Sequence, residues 1–204
     1  MSKLFSILIG YFCGCFMTAD LVAAHFSGKS ASELGETGNP GMANMMASLG
    51  FVPGLITLAG DLGKVIVAAG VSWLLFKDQG RIVILCAGLG AVLGHDFPFW
   101  RHFKGGKGVA STSMAIVLYA FWPGLIANIA GMLVVFVVKY LCIGGPVIPL
   151  TFTLIMAVRG DAEAAFIGLV MSVLSLRAHG GAILKIRSGE TPKTDVLGLI
   201  LKKK

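Results

Sequence analysis

The sequence predicts an all-α, polytopic integral membrane protein with about seven transmembrane helices. Two observations predict it. Hydrophobic residues fill 56% of the 204 positions and charged residues only 13%, where a soluble domain carries about 25% charged residues. Mean hydropathy is +0.85. Too few polar side chains are present to cover a soluble globule, and so apolar a chain is not disordered. The apolar residues also fall into successive runs with short connections between them. At ~20 residues per span the chain has no room for a separate soluble domain, and 1–204 is read as one transmembrane domain.

The first run, 4–26, is read as a single span. A signal-peptide reading, with Lys3 as its basic flank, is weak because no exported soluble domain follows. The second run, 51–76, is interrupted by Gly60, Asp61 and Lys64. The remaining runs are 82–93, 109–121, 125–140, 143–158 and 164–176. Several are shorter than a full span and bounded by Gly or Pro. That predicts helices ending at loops that dip into the membrane, where protein or a watery cavity must satisfy the backbone.

Seven crossings put the termini on opposite sides. With the N-terminus outside, the inner side receives Lys29, Arg101, Lys104, Lys107, Lys139, Arg177, Lys185, Arg187, Lys193 and Lys202 to Lys204; the outer side receives only Lys3, Lys77, Arg81 and Arg159. The positive-inside rule therefore predicts N-out, C-in. The inner side also receives the long connections 27–50 and 94–108 and the tail from 177, so the polar chemistry is expected on the cytoplasmic face. The net charge of +7 reflects this topology and not nucleic-acid binding. Cys13, Cys15, Cys86 and Cys142 show neither metal spacing nor a disulfide pattern and read as small buried side chains. Glycine is abundant, 28 of 204 residues, roughly twice the usual ~7% share. It serves either close helix approach or backbone anion sites, and the excess is expected to concentrate in the two long loops.

The connection 94–111 reads Gly-His-Asp-Phe-Pro-Phe-Trp-Arg-His-Phe-Lys-Gly-Gly-Lys-Gly-Val-Ala-Ser. Its glycines precede an apolar helix. Free amides at a helix N-terminus, with the helix dipole, attract anions, and Lys104 and Lys107 add charge. The expected ligand is a phosphate held by Lys104, Gly105, Gly106, Gly108 and Ser111. The spacing is not that of the nucleotide-binding P-loop. His95 and His102 have no second ligand pair, so no metal is expected; His95 is read as bracing the loop. The first connection carries Gly35-Glu-Thr-Gly-Asn-Pro-Gly-Met-Ala-Asn44, a turn and helix start whose Thr37, Gly38, Asn39 and Asn44 are candidate substrate ligands. Asp61 and Lys64, three apart on one helical face, are expected to pair and support the fold. Asp20 reads as a lone interfacial acid. After the last run, His179 is a candidate for binding phosphate or moving a proton, and Glu190 for tying down a basic tail.

These elements, in this order and on one side of a seven-span chain, resemble the polytopic bacterial glycerol-3-phosphate acyltransferase family that uses acyl phosphate as donor. Gly-His-x-Phe-Pro and Phe-Lys-Gly-Gly-Lys-Gly-Val-Ala match its second motif. Gly38-Asn39-Pro40-Gly41 with Asn44 matches the first, Asp61 and Lys64 a following Asp-x-x-Lys pair, and His179, Gly189, Glu190 and Lys193 the third. The resemblance implies acyl transfer from acyl phosphate to the 1-hydroxyl of glycerol 3-phosphate, giving lysophosphatidic acid and phosphate, in a bacterial inner membrane and without a cofactor. It implies catalytic roles for His179, Lys107 and Asn39. The partners are the two substrates and the lipid bilayer; oligomeric state is not legible.

The chain departs from the family pattern at named places. Thr37 follows a one-residue insertion. The family's first-motif Arg is Ala47, and Ser32 falls near the Arg of a lost Asp-Ile-Arg. In the third motif its Asn is Ala182 and its Arg is Lys185, and two serines of the fifth connection read Cys142 and Gly145. A paralog with another acceptor, or a non-catalytic lipid- or partner-binding member, remains an alternative reading at this stage.

Overall fold

The computed structural model of the chain describes residues 1–193 and is all-helical over them. Nine α-helices follow one another: α1 (Ser2–Gly14), α2 (Thr18–Ser27), α3 (Met42–Leu49), α4 (Phe51–Phe76), α5 (Ile82–Asp96), α6 (Val109–Tyr119), α7 (Phe121–Val138), α8 (Leu141–Val158) and α9 (Ala162–Leu184). Among the described residues, six segments are long and apolar enough to cross a membrane: Ser2–Ser27, Phe51–Gln79, Ile82–Arg101, Phe121–Val138, Leu141–Val158 and Ala162–Leu184. The seventh apolar helix, α6, has 11 residues and reaches about 16 Å, half a bilayer core. The connection 94–108 leads directly into this short helix.

Helix α5 lies at the centre, buried on nearly all sides, as its uniform apolarity requires. Val83, Leu85 and Val92 from it meet Val65 of α4, Ile116 of α6, Phe152 of α8 and Met171 of α9 in one core. Its closest partner is α1. A Cβ on Gly10 or Gly14 would strike the carbonyls of Ala87 and Ala91, and one on Gly90 or Gly94 those of Ile7 and Tyr11. Two Gly-x-x-x-Gly faces thus meet backbone to backbone. The placement of the glycine excess in the two long loops is corrected accordingly: four of these residues build a helix interface.

Two run boundaries also differ from the sequence reading. The run 4–26 is not one helix: it breaks between Gly14 and Thr18. The freed carbonyls find donors, Trp100 Nε1 on Cys15 O at 2.8 Å and Lys64 Nζ on Phe16 O at 3.1 Å. An opened backbone inside a membrane is tolerated on that condition. At the other end, the last helix does not stop with the apolar run at 176 but continues to Leu184, so Arg177 and His179 are helical residues. Hydropathy falls there, yet Ala and Leu keep their helix propensity.

Replacing Gly90 by Leu should separate α1 from α5 and lower stability by about 1–3 kcal/mol or more. Gly70→Leu, where an added Cβ meets nothing within 4 Å, should be neutral. Thermal unfolding of the two variants in detergent compares them directly.

Candidate active site

The connection between α5 and α6 turns sharply at Pro98. A short 3-10 turn over Phe99–Arg101 leads into His102 and Phe103, both left-handed at φ 51° and 58°. Helix α1 holds this turn from the side: the Tyr11 hydroxyl donates to Phe97 O at 2.9 Å. The chain then runs back under the end of α5. Gly105 N donates to Asp96 O at 3.0 Å and Gly106 N to His95 O at 2.9 Å, satisfying carbonyls that a helix end leaves open. A side chain on Gly105 would meet His95 O, and one on Gly106 the His95 ring. These two glycines are small because the loop lies against α5.

This geometry revises the roles read from the sequence. The amides of Gly105 and Gly106 are engaged by α5 and are not available to an anion. Those of Lys107, Gly108, Val109, Ala110 and Ser111 have no backbone acceptor among the described residues. Gly108, left-handed at φ 62°, caps α6, so the free amides form one helix N-terminus with its dipole. Lys104 is exposed, while Lys107 is partly buried, and burial pushes the Lys107 ammonium below its ordinary pKa. Ser111 is fully buried and its Oγ has no partner among the described residues. Beneath Gly108 lies the Asp96 carboxylate, 4% exposed, with no donor on either oxygen among the described residues.

His179 projects from α9 towards the same helix start. Its Nδ1 is 2.9 Å from Ser175 O. A carbonyl only accepts, so Nδ1 carries the proton and Nε2 of the neutral ring presents a lone pair. A Cβ on Gly145 of α8 would lie 2.9 Å from Nε2 and 3.3 Å from a methyl of Val109. The ends of α6, α8 and α9 therefore converge at His179. Gly145 leaves His179 without the hydroxyl neighbour that a serine would supply.

On the opposite side of the loop is a buried charge cluster. Asp61, Lys64 and His95 are 3%, 6% and 4% exposed. Lys64 Nζ donates to Asp61 Oδ1 at 2.8 Å, to Phe16 O at 3.1 Å and to His95 Nδ1 at 2.6 Å. All three ammonium hydrogens have acceptors, which is how a charge is tolerated at this depth.

The first loop is organised largely within itself. Asn44 Nδ2 donates to Leu34 O at 2.9 Å, and its Oδ1 closes on left-handed Gly35. Asn44 thus braces the loop. Thr37 is exposed and its hydroxyl accepts from Asn39 N at 3.3 Å, while Gly38, φ 55°, rests on Ser32 O. Among the described residues no hydrogen bond joins Thr37, Gly38, Asn39 or Asn44 to Lys107 or His179. What joins this loop to the second is Arg101, whose Nη1 is 3.3 Å from Asp20 Oδ2; Asp20 Oδ1 accepts from Ala31 N at 3.2 Å. Lys29, Ser30, Ser32, Trp100 and Arg101 line a cavity of about 510 Å³ beside them. Sequence reasoning missed this pairing, although a lone Asp20 in an apolar run was itself a signal that a cation must reach it. Glu190 is exposed and accepts from Ser188 Oγ at 2.7 Å and pairs with Lys185 at 3.2 Å; these contacts hold its carboxyl below the usual range. Thr191 Oγ1 ties the same turn to Ala182 O at 2.6 Å.

Comparison with known proteins places this arrangement. A family model described as glycerol-3-phosphate acyltransferase matches residues 4–189. The chain is 37% identical to glycerol-3-phosphate acyltransferase 1 of Lactobacillus johnsonii, over 100% of this chain and 98% of that one. It is 35% identical to the enzyme of the same name from Lactobacillus acidophilus, over 100% and 97%. Its fold is similar to the crystal structure of PlsY (YgiH), an integral membrane glycerol 3-phosphate acyltransferase, in the glycerol 3-phosphate form: TM-score 0.85 at 23% identity, covering 99% of this chain and 100% of that one. With its residues 4–189 matched and its relatives aligned end to end, the chain belongs to the glycerol-3-phosphate acyltransferase family.

Proposed function

We propose that the chain transfers a fatty acyl group from acyl phosphate to the 1-hydroxyl of glycerol 3-phosphate, releasing lysophosphatidic acid and inorganic phosphate. The observation that carries this reading is the convergence of three groups: the free amides from Lys107 to Ser111, the Lys107 ammonium, and the Nε2 lone pair of His179. Hydrogen-bond donors for an anion, together with a proton acceptor, are what transfer from a phosphate leaving group requires. The amides and Lys107 hold the donor's phosphate and stabilise the charge that develops on it. The acceptor hydroxyl oxygen forms the new bond to the acyl carbon as the carbon–oxygen bond to phosphate breaks. Its proton passes to His179 Nε2 and from there to the departing phosphate, so the ring returns to its starting state. The fatty chain stays among the helices that face lipid.

Thr37, Gly38 and Asn39 are assigned to the glycerol 3-phosphate side, and Asn44 supports them from behind. Ala47 and Ala182 leave that side without the Arg and Asn of the family pattern. Each lost contact corresponds to about 1.5–3 kcal/mol, and Lys29 and Arg101, which line the neighbouring cavity, are candidate cations to substitute. The active face is assigned to the cytoplasmic side of a bacterial inner membrane. That orientation rests on the excess of Lys and Arg in the connections 27–50 and 94–108 and in the tail.

Purified in detergent and supplied with palmitoyl phosphate, the protein should release phosphate only when glycerol 3-phosphate is present. Lys107→Ala should lower that rate by about 100-fold or more, in line with loss of one transition-state donor. Release that depends on a different hydroxylated acceptor would redirect the reading to that acceptor, and no release with any would favour a non-catalytic member. Topology is open to a separate check. A cysteine introduced at Ser188 of the chain, with Cys13, Cys15, Cys86 and Cys142 replaced, should react with an impermeant maleimide only from the cytoplasmic side of membrane vesicles; labelling from the other side reverses the orientation.

A further inference from the structure

We propose that His95 is a substrate contact and not only a brace: its Nε2–H donates to the phosphate held at the start of α6. This rests on the functional reading above and adds a residue to its phosphate site. The tautomer follows from the buried cluster. Lys64 forms an ion pair with Asp61 at 2.8 Å, so its nitrogen is an ammonium with three hydrogens and no lone pair. It lies 2.6 Å from His95 Nδ1, much nearer than the 3.5 Å from that nitrogen to Asp61 Oδ1, so the ammonium donates to Nδ1. The other two hydrogens go to Asp61 Oδ1 and Phe16 O. His95 Nδ1 is thus the acceptor, and in the neutral ring Nε2 must carry the proton.

That Nε2–H faces the loop. It lies where a side chain on Gly106 would stand, one residue before the free amides begin at Lys107, and no acceptor for it is found among the described residues. The backbone at this point is already settled, since Gly106 N donates to His95 O at 2.9 Å. The ring is held from behind by Lys64 and from below by its own peptide, leaving one oriented donor aimed past a glycine. A donor without a protein acceptor is open to a ligand that supplies one. Phosphate at the α6 start offers unprotonated acceptor oxygens, and the amides, Lys107 and His95 Nε2–H would surround it from two sides.

Two substitutions separate contact from bracing. His95→Asn places an amide oxygen near the Nδ1 position, keeps an acceptor for Lys64 and removes the donor at the loop. His95→Gln places an amide nitrogen near the Nε2 position, keeps the donor and leaves Lys64 short of an acceptor. Titrating inorganic phosphate into each detergent-purified full-length protein by calorimetry should show about tenfold or greater weakening in His95→Asn. In His95→Gln the phosphate affinity should stay within about threefold of the parent, while its thermal midpoint drops below that of His95→Asn. Equal phosphate affinity in both variants and parent, or affinity that falls in step with melting temperature, overturns the proposal. A third measurement leaves His95 itself in place. Long-range ¹⁵N spectra of histidine-labelled parent protein, with the four imidazoles distinguished by selective substitution of His25, His102 and His179, should show a ring protonated at Nε2 whose Nε2 signal moves on adding inorganic phosphate. A ring protonated at Nδ1, or no movement, overturns it. If phosphate binding divides as stated but no glycerol 3-phosphate-dependent release occurs, the contact stands and the catalytic reading falls.

Discussion

The ammonium of Lys64 is the point on which the rest of the structure depends. A charge at this depth is tolerated only if every hydrogen is taken up, and its three acceptors come from three places: Asp61 one turn away, Phe16 O at the break between α1 and α2, and His95 at the end of α5. One side chain therefore closes an opened span, joins α4 to α5 and sets the ring that lies against Gly106. The glycine loop inherits its position from that ring. Its amides at Gly105 and Gly106 bind the last carbonyls of α5, and the next five amides are left at the start of α6.

The two buried histidines show how neighbours select chemistry. His179 has a carbonyl on Nδ1, so its Nε2 is a lone pair; His95 has an ammonium on Nδ1, so its Nε2 is a donor. One side-chain type serves as proton acceptor on one side of the loop and as proton-bearing donor on the other. Neither role needs a charged imidazole, which suits sites 3% and 4% exposed. The backbone contact of α1 with α5, through Gly10, Gly14, Gly90 and Gly94, then keeps the end of α5 still enough for the distinction to hold.

Much of the architecture is legible in the sequence because a bilayer demands continuous apolar runs, and each of the later runs falls mostly on one helix. The second loop is legible too, since glycines and lysines before an apolar segment have few other uses. What escapes is whatever depends on distant residues. The break after Gly14 is stabilised by Lys64 and Trp100, 48 residues after Phe16 and 85 after Cys15, and nothing local announces it. Gly105 and Gly106 look like anion ligands in isolation, yet their amides face α5. His179 lies past the end of its apolar run, and helix propensity and its bond to Ser175 O keep it helical. Asp20 reads as solitary until Arg101, on another loop, is brought to it.

The distribution of acceptors around Lys64 also bears on how the chain is made. Synthesis runs from the N-terminus, so Phe16 O and Asp61 exist when Lys64 emerges, whereas His95 follows 31 residues later. The second span enters the bilayer as a neutralised pair already able to close the break in the first, but one hydrogen remains without its acceptor until α5 inserts. During that interval the nascent chain carries a charged donor one acceptor short, which lowers its stability. Defects at His95 or in α5 would then appear first as reduced abundance in cells, before any purified protein reveals a change in turnover.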